Sequence, residues 1–258
     1  MSEQDTPTKQ QHRGIYLLPN AITTCALFAG FYAIVAAMKG YFDIAAMAIF
    51  IAMVADTLDG RVARLTKTQS AFGAQYDSLS DMVSFGVAPA LVAYNWGLSD
   101  LGKLGWLAAF FYTATAAMRL ARFNTQLGQA ATPFFIGLPS PAAAGVVAGT
   151  VWLGHDIGVH GQQLDIIVAL LTVAAGALMV SNFQYESFKR IDLRGRVPFI
   201  SLFIVLLVLV SIAVDPPKIL FVIFLIFALS GPLLALYHWS WTHKLYKALS
   251  SRIPKKTK

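Results

Sequence analysis

Long apolar runs separated by short polar segments recur eight times along the chain, near Leu17–Met38, Phe42–Leu58, Ser78–Trp96, Leu104–Leu120, Leu138–Leu153, Leu164–Ser181, Val197–Val214 and Ile219–Trp239. Crossing a bilayer takes about 20 mostly apolar residues in a helix, against about 30 Å of hydrocarbon. Backbone polar groups in lipid must be satisfied within the segment, and these runs lack the strict alternation of barrel strands. The pattern therefore predicts an all-α fold, a polytopic transmembrane helical bundle of about eight spans covering residues 14–242. The polar residues 1–13 read as a disordered cytoplasmic tail, without the charged and apolar regions of a cleaved signal peptide. Residues 243–258 read as a basic cytoplasmic tail.

Composition agrees with lipid as the solvent, since 57% hydrophobic and 13% charged residues are too apolar for a soluble chain of 258 residues. The single cysteine, Cys25, lies in the first apolar run, which excludes a disulfide framework and a cysteine metal site. A net charge of +7 could indicate nucleic acid, but its distribution indicates a membrane. With eight spans, seventeen of the 20 Lys and Arg residues fall on the side of the termini. Only Lys39, Lys103 and Lys218 fall on the other, which orients both termini to the cytoplasm of an inner membrane.

One segment departs from the apolar pattern. From Asp56 the chain reads DTLDGRVARLTKTQSAFGAQYDSLSDMVS, placing four aspartates at the cytoplasmic ends of the second and third runs. Ionisable groups at that depth are costly and mark function. Asp56, Asp59, Gly60 and Ala63 share one helical face, and Gly73, Asp77 and Asp81 share another. A short turn makes the two helices antiparallel, so four carboxylates can converge. Such a set stays ionised only with compensating cations, and its all-oxygen chemistry selects hard ions such as Mg²⁺, Mn²⁺ or Ca²⁺. Two ions of this kind suit a diphosphate, and the small residues leave room for a nucleotide. Solvated helix ends or an ion or proton pathway would also use aspartates. The cost of buried charge disfavours the first, and the second does not account for Arg64, the three small residues, or the confinement of all four acids to one segment.

Asp56-x-x-Asp59-Gly60-x-x-Ala63-Arg64, eight residues, then Gly73-x-x-x-Asp77-x-x-x-Asp81 resembles in each fixed position the signature of the CDP-alcohol phosphotransferases. The resemblance implies displacement of CMP from a CDP-linked lipid by an alcohol. It further implies two divalent ions, Mg²⁺ or Mn²⁺, on Asp56, Asp59, Asp77 and Asp81, with Asp81 also the general base. Gly60, Ala63, Arg64 and Gly73 would line the CDP-lipid site. Pro19-Asn20-x-x-Thr23 resembles the family's opening of the first helix, where Asn20 and Thr23 can donate to a phosphate or to an aspartate ligand. A plain helix cap is the other account of Asn20.

Three further stretches, Arg119-Leu120-Ala121-Arg122-Phe123-Asn124, Gly137-Leu138-Pro139-Ser140-Pro141-Ala142 and Ser181-Asn182-Phe183-Gln184-Tyr185-Glu186-Ser187-Phe188-Lys189, resemble the bacterial and archaeal phosphatidylserine synthases. This implies CDP-diacylglycerol as donor, L-serine as acceptor, and a homodimer. A serine carboxylate calls for a cation, so Arg119, Arg122, Ser140 and Lys189 form the expected acceptor site. The same cations would also serve topology alone. Another alcohol (glycerol 3-phosphate, inositol or choline) remains an alternative, as does a cation or proton transporter. His155 and His160 fall in the opposite loop, where Trp96, Trp106 and Trp152 suit an aromatic belt.

Overall fold

A computed structural model of the chain describes residues 17–125, 134–186 and 199–250, with only the backbone described over 238–250. Nine helices account for most of them: α1 (Leu17–Met38), α2 (Phe42–Leu65), α3 (Ala71–Asp81), α4 (Ala88–Trp96), α5 (Lys103–Thr125), α6 (Ser140–Asp156), α7 (Asp165–Val180), α8 (Phe199–Val214) and α9 (Pro216–Ser250). Short 3-10 turns at Leu98–Leu101 and Gly161–Gln163 complete the helical part. The all-helical expectation is corrected in one place. Phe134–Ile136 (β1) and Gln184–Glu186 (β2) pair antiparallel, Phe135 opposite Tyr185. Apolar periodicity could not announce strands of three residues.

Each predicted apolar run has its helix, but the ends differ where polarity and helicity part company. α2 continues past Leu58 to Leu65, and the next helix starts at Ala71 rather than Ser78. Ser70 is the reason for that start, since its Oγ accepts the Gly73 N–H at 3.0 Å and caps the first turn. At the other end of the turn Lys67, with φ 55°, takes the left-handed conformation that stops α2. α9 runs beyond Trp239 to Ser250 and takes in the first part of the expected basic tail.

α3 and α4 form one continuous rod, joined by a π-helical turn at Met82–Val87 immediately after Asp81. Widening the turn displaces carbonyls from their usual partners. α5 meets two of them: the Tyr112 hydroxyl donates to Phe85 O at 3.0 Å and Thr113 Oγ1 to Gly86 O at 3.4 Å.

The core is built from small side chains. Ala33 and Ala37 of α1 and Ala45, Ala46 and Ala52 of α2 are buried, which allows two backbones to approach closely. Gly30 goes further, for a Cβ there would fall within 2.9 Å of three Ser84 atoms, the backbone Cα included. α6 occupies the centre, packed by α2, α4, α7 and α9 and buried over most of its length. Trp96 and Trp152 are also core residues, 7% and 9% exposed, so the belt expected of three tryptophans is left with Trp106. Gly154 makes the space that Trp96 fills, and Phe50 packs on Trp152.

The outside is apolar. Along α8 each residue from Leu202 to Val210 is exposed, and α8 packs chiefly on α9. Water-soluble monomers rarely leave an apolar face of that length uncovered. Leu17–Met38 and Pro216–Tyr237 are long and apolar enough to cross a bilayer, and Asp165–Val180 and Leu202–Val214 are shorter apolar helices.

Candidate metal and substrate site

The fold brings three of the four carboxylates together. Asp56 and Asp59 lie in the last turns of α2 and Asp77 in α3, and one ligand atom from each falls within 4.8 Å of the other two. The Asp81 carboxyl adjoins that of Asp56. Asp59 is buried, 5% exposed, and the other three are half-buried. A trio of carboxylates this close, with oxygen as the donor atom throughout, fits a hard divalent cation in charge and ligand type.

A third helix supports the cluster. Thr23 Oγ1 of α1 donates to Asp59 Oδ2 at 2.5 Å, and the Thr23 carbonyl accepts from Ser80 Oγ at 3.2 Å. Nearby, Thr24 and Tyr76 share a hydroxyl hydrogen bond of 2.9 Å, and Phe72 stacks on Tyr76. Of the two partners open to Thr23 in the sequence, phosphate or aspartate ligand, its hydroxyl is engaged by the aspartate. Asn20 lies at the mouth: a Cβ on Gly73 would stand 3.4 Å from Asn20 Oδ1 and 3.2 Å from the capping Ser70 Oγ. Gly60 borders open space, with Arg64 Nη2 3.9 Å from where its Cβ would be. Arg61 and Arg64 are exposed and Ala63 is half-buried. This side of α2 is therefore uncrowded and cationic, while its buried side carries Asp59.

On the far flank of Asp81 stands the end of α5. Arg119 is close enough to Asp81 to interact with its charge, and Arg119 Nη1 donates to the fully buried Ser140 Oγ at 2.8 Å. The buried Arg119 Nε has no hydrogen-bond partner among the described residues. Arg122 Nη2 donates to Asn182 Oδ1 at 3.2 Å, tying α5 to the segment that leads into β2. Asn124 Nδ2 donates to Ser78 Oγ at 3.0 Å, beside Asp77. The roles of Ser78, Asn124 and Asn182 were not legible beforehand, although Asn124 and Asn182 sit in stretches that stand out in the sequence. Lys189 lies outside the described residues.

A cavity of about 570 Å³ adjoins Asn182, lined also by Phe134, Phe183, Gln184, Gly231, Leu234 and Ala235. Tyr185 is fully buried against Gly231, one of these residues, with its hydroxyl donating to Ala228 O at 3.0 Å. His155 is far from this chemistry. It packs edge-on against Phe42, the first residue of α2, and fourteen residues of helix, about 21 Å, separate Phe42 from Asp56.

Comparison with known proteins places this geometry. The chain is 36% identical over 203 residues to the CDP-diacylglycerol–serine O-phosphatidyltransferase of Helicobacter pylori, covering 79% of this chain and 84% of that protein. It is 30% identical over 242 residues to the protein of the same name from Mycobacterium leprae, covering 91% and 79%. A third, from Bacillus subtilis, is 32% identical over 173 residues, covering 67% of this chain and 92% of its own length. Residues 16–180, which carry α1 through α7 and so all four aspartates and both α5 arginines, match the family profile described as CDP-alcohol phosphatidyltransferase. With carboxylates on facing helices and a match over most of its length, the chain belongs to the CDP-alcohol phosphatidyltransferase family, a family of divalent-metal-dependent membrane enzymes.

Proposed function

We propose that this protein transfers the phosphatidyl group of CDP-diacylglycerol to L-serine, giving phosphatidylserine and CMP. The observation that carries the proposal is the convergence of Asp56, Asp59 and Asp77 in a family member whose relatives bear that activity as their name. In this reading the trio and Asp81 hold two divalent ions, Mg²⁺ or Mn²⁺. Bound there, the ions neutralise the diphosphate and the departing CMP.

The side chains divide the remaining work. Gly60, Ala63 and Gly73 leave the nucleotide space beside the backbone, Arg64 offers a cation to its phosphates, and Asn20 offers its amide. Thr23 belongs to this group through Asp59. Asp81 takes the proton of the serine hydroxyl. The hydroxyl oxygen bonds to the phosphorus that bears diacylglycerol, and the bond from that phosphorus to the CMP oxygen breaks, its electron pair leaving with CMP. Proximity of Asp81 to both the trio and Arg119 of α5 supports its role as base between donor and acceptor.

Serine brings a carboxylate, for which a guanidinium is the natural partner. Arg122 is half-buried and held by Asn182, while Arg119 is held by Ser140 and keeps an Nε without a partner among the described residues; both suit an acceptor pocket. Lys189 is a third cation for that pocket by sequence. Eight helices cross the membrane in this reading, with the aspartates and both termini on the cytoplasmic side, where the basic residues concentrate. The apolar outer faces of α8 and α9 meet lipid or a second copy of the chain in a homodimer.

Release of CMP by the purified protein tests the proposal, with CDP-diacylglycerol, Mg²⁺ or Mn²⁺, and serine, glycerol 3-phosphate, inositol or choline supplied singly. Serine-dependent release is expected. Silence with all four acceptors would sink the transferase reading, and release with another acceptor alone would reassign the α5 pocket.

A further inference from the structure

The carboxylates reside on α2 and α3, yet a short hydrogen bond to one of them comes from α1. Thr23 is 4% exposed, and its Oγ1 lies 2.5 Å from Asp59 Oδ2 and 3.0 Å from the Pro19 carbonyl one turn back. One hydroxyl has one proton to give. Bonds to an ionised acceptor are shorter and about twice as strong as bonds to a neutral one, so the proton goes to Asp59. The Thr23 carbonyl is taken by Ser80 in α3, and Ser84 Oγ bonds Ala26 O at 3.1 Å one turn further along. A single α1 residue is thus tied to both carboxylate-bearing helices.

We propose that Thr23 is a positioning residue for Asp59. By engaging Oδ2 it prevents the carboxylate from rotating or chelating through both oxygens, and leaves Oδ1 to act with Asp56 and Asp77. Its hydroxyl is thereby unavailable to the diphosphate, the role that the opening motif of the first helix would otherwise allow. This inference rests on reading the trio as a metal site. Partners of metal ligands at this remove are worth about 10–100-fold in metal affinity.

Mn²⁺ binding to the intact protein in detergent micelles, measured by electron paramagnetic resonance without substrate, separates the outcomes. Thr23→Val keeps the shape and loses the donor, Thr23→Ser keeps the donor, and Asp59→Asn weakens the ligand itself. Thr23→Val is expected to weaken Mn²⁺ binding about tenfold or more, with Thr23→Ser close to the parent. Parental Mn²⁺ affinity in Thr23→Val, accompanied by a raised KM for CDP-diacylglycerol, overturns the proposal and returns the hydroxyl to the diphosphate. Parental affinity in Asp59→Asn instead removes the metal-site reading on which it rests. Should the valine be rejected by the core, Thr23→Ala provides the same comparison with Thr23→Ser.

Discussion

Gly30 offers the sharpest test of whether helix packing sets the site. It faces Ser84 in the π-helical turn, and a Cβ added to it would lie 2.6 Å from Ser84 Oγ, 2.7 Å from Cα and 2.9 Å from Cβ. Carbon atoms pack at about 3.5 Å or more, so the shortfall against the backbone Cα is about 0.8 Å. A side chain could rotate away, but a helical backbone cannot. In Gly30→Ala, therefore, α1 must withdraw from the α3–α4 rod by nearly that amount, at a cost of about 1–3 kcal/mol for overpacking. The same displacement acts on Thr23, two turns along α1, and through it on Asp59. Misplacement of catalytic groups by about 1 Å can cost about 100-fold in rate. Gly30→Ala is thus expected to lower the melting temperature and to reduce serine-dependent CMP release far more than a simple loss of stability would. Ser84→Ala should not rescue it, because the Cα and Cβ contacts remain. Both properties are measured on one detergent-purified sample, by thermal unfolding and by turnover well below the melting temperature. Parental turnover in a folded Gly30→Ala protein would refute the coupling of α1 packing to the carboxylates.

Other expectations concern single side chains. Asp81→Asn should depress turnover by about 100-fold or more, a far larger loss than in CDP-diacylglycerol binding, since the base is removed while the other three carboxylates remain; equal loss of binding and turnover contradicts a base. Arg122→Ala should raise the KM for serine at least several-fold with little change in that for the donor, and an unchanged serine dependence takes Arg122 out of the acceptor pocket. Tyr112→Phe removes the donor to the Phe85 carbonyl in the buried π turn and should destabilise by about 1–3 kcal/mol, read from thermal unfolding beside the parent.

Much of the site was legible before the fold. Two residues one helical turn apart share a face by geometry alone, so Asp56 with Asp59 and Asp77 with Asp81 could be paired, and a turn of few residues could return the chain on itself only as an antiparallel helix. Apolar runs likewise located the helices, because lipid or core must cover them whatever the topology. Helix ends were less legible. No apolar run marks the extension of α2 from Leu58 to Leu65, a stretch whose Ala, Leu and Arg residues suit a helix and that ends only where Lys67 turns left-handed.

Local periodicity therefore determined by itself that the four aspartates and their small neighbours could act together, while the arginines of the later stretch were marked by resemblance. Tertiary structure alone decided how they are supported. The partner of Thr23, the contact of Arg119 with Ser140, the tie between Arg122 and Asn182, and the burial of Trp96 and Trp152 join segments 21 to 102 residues apart or depend on neighbouring helices. So does the π turn after Asp81, whose freed carbonyls are satisfied by hydroxyls 27 residues away in α5. Such contacts arise from the close approach of whole helices, and no spacing along one helix encodes them.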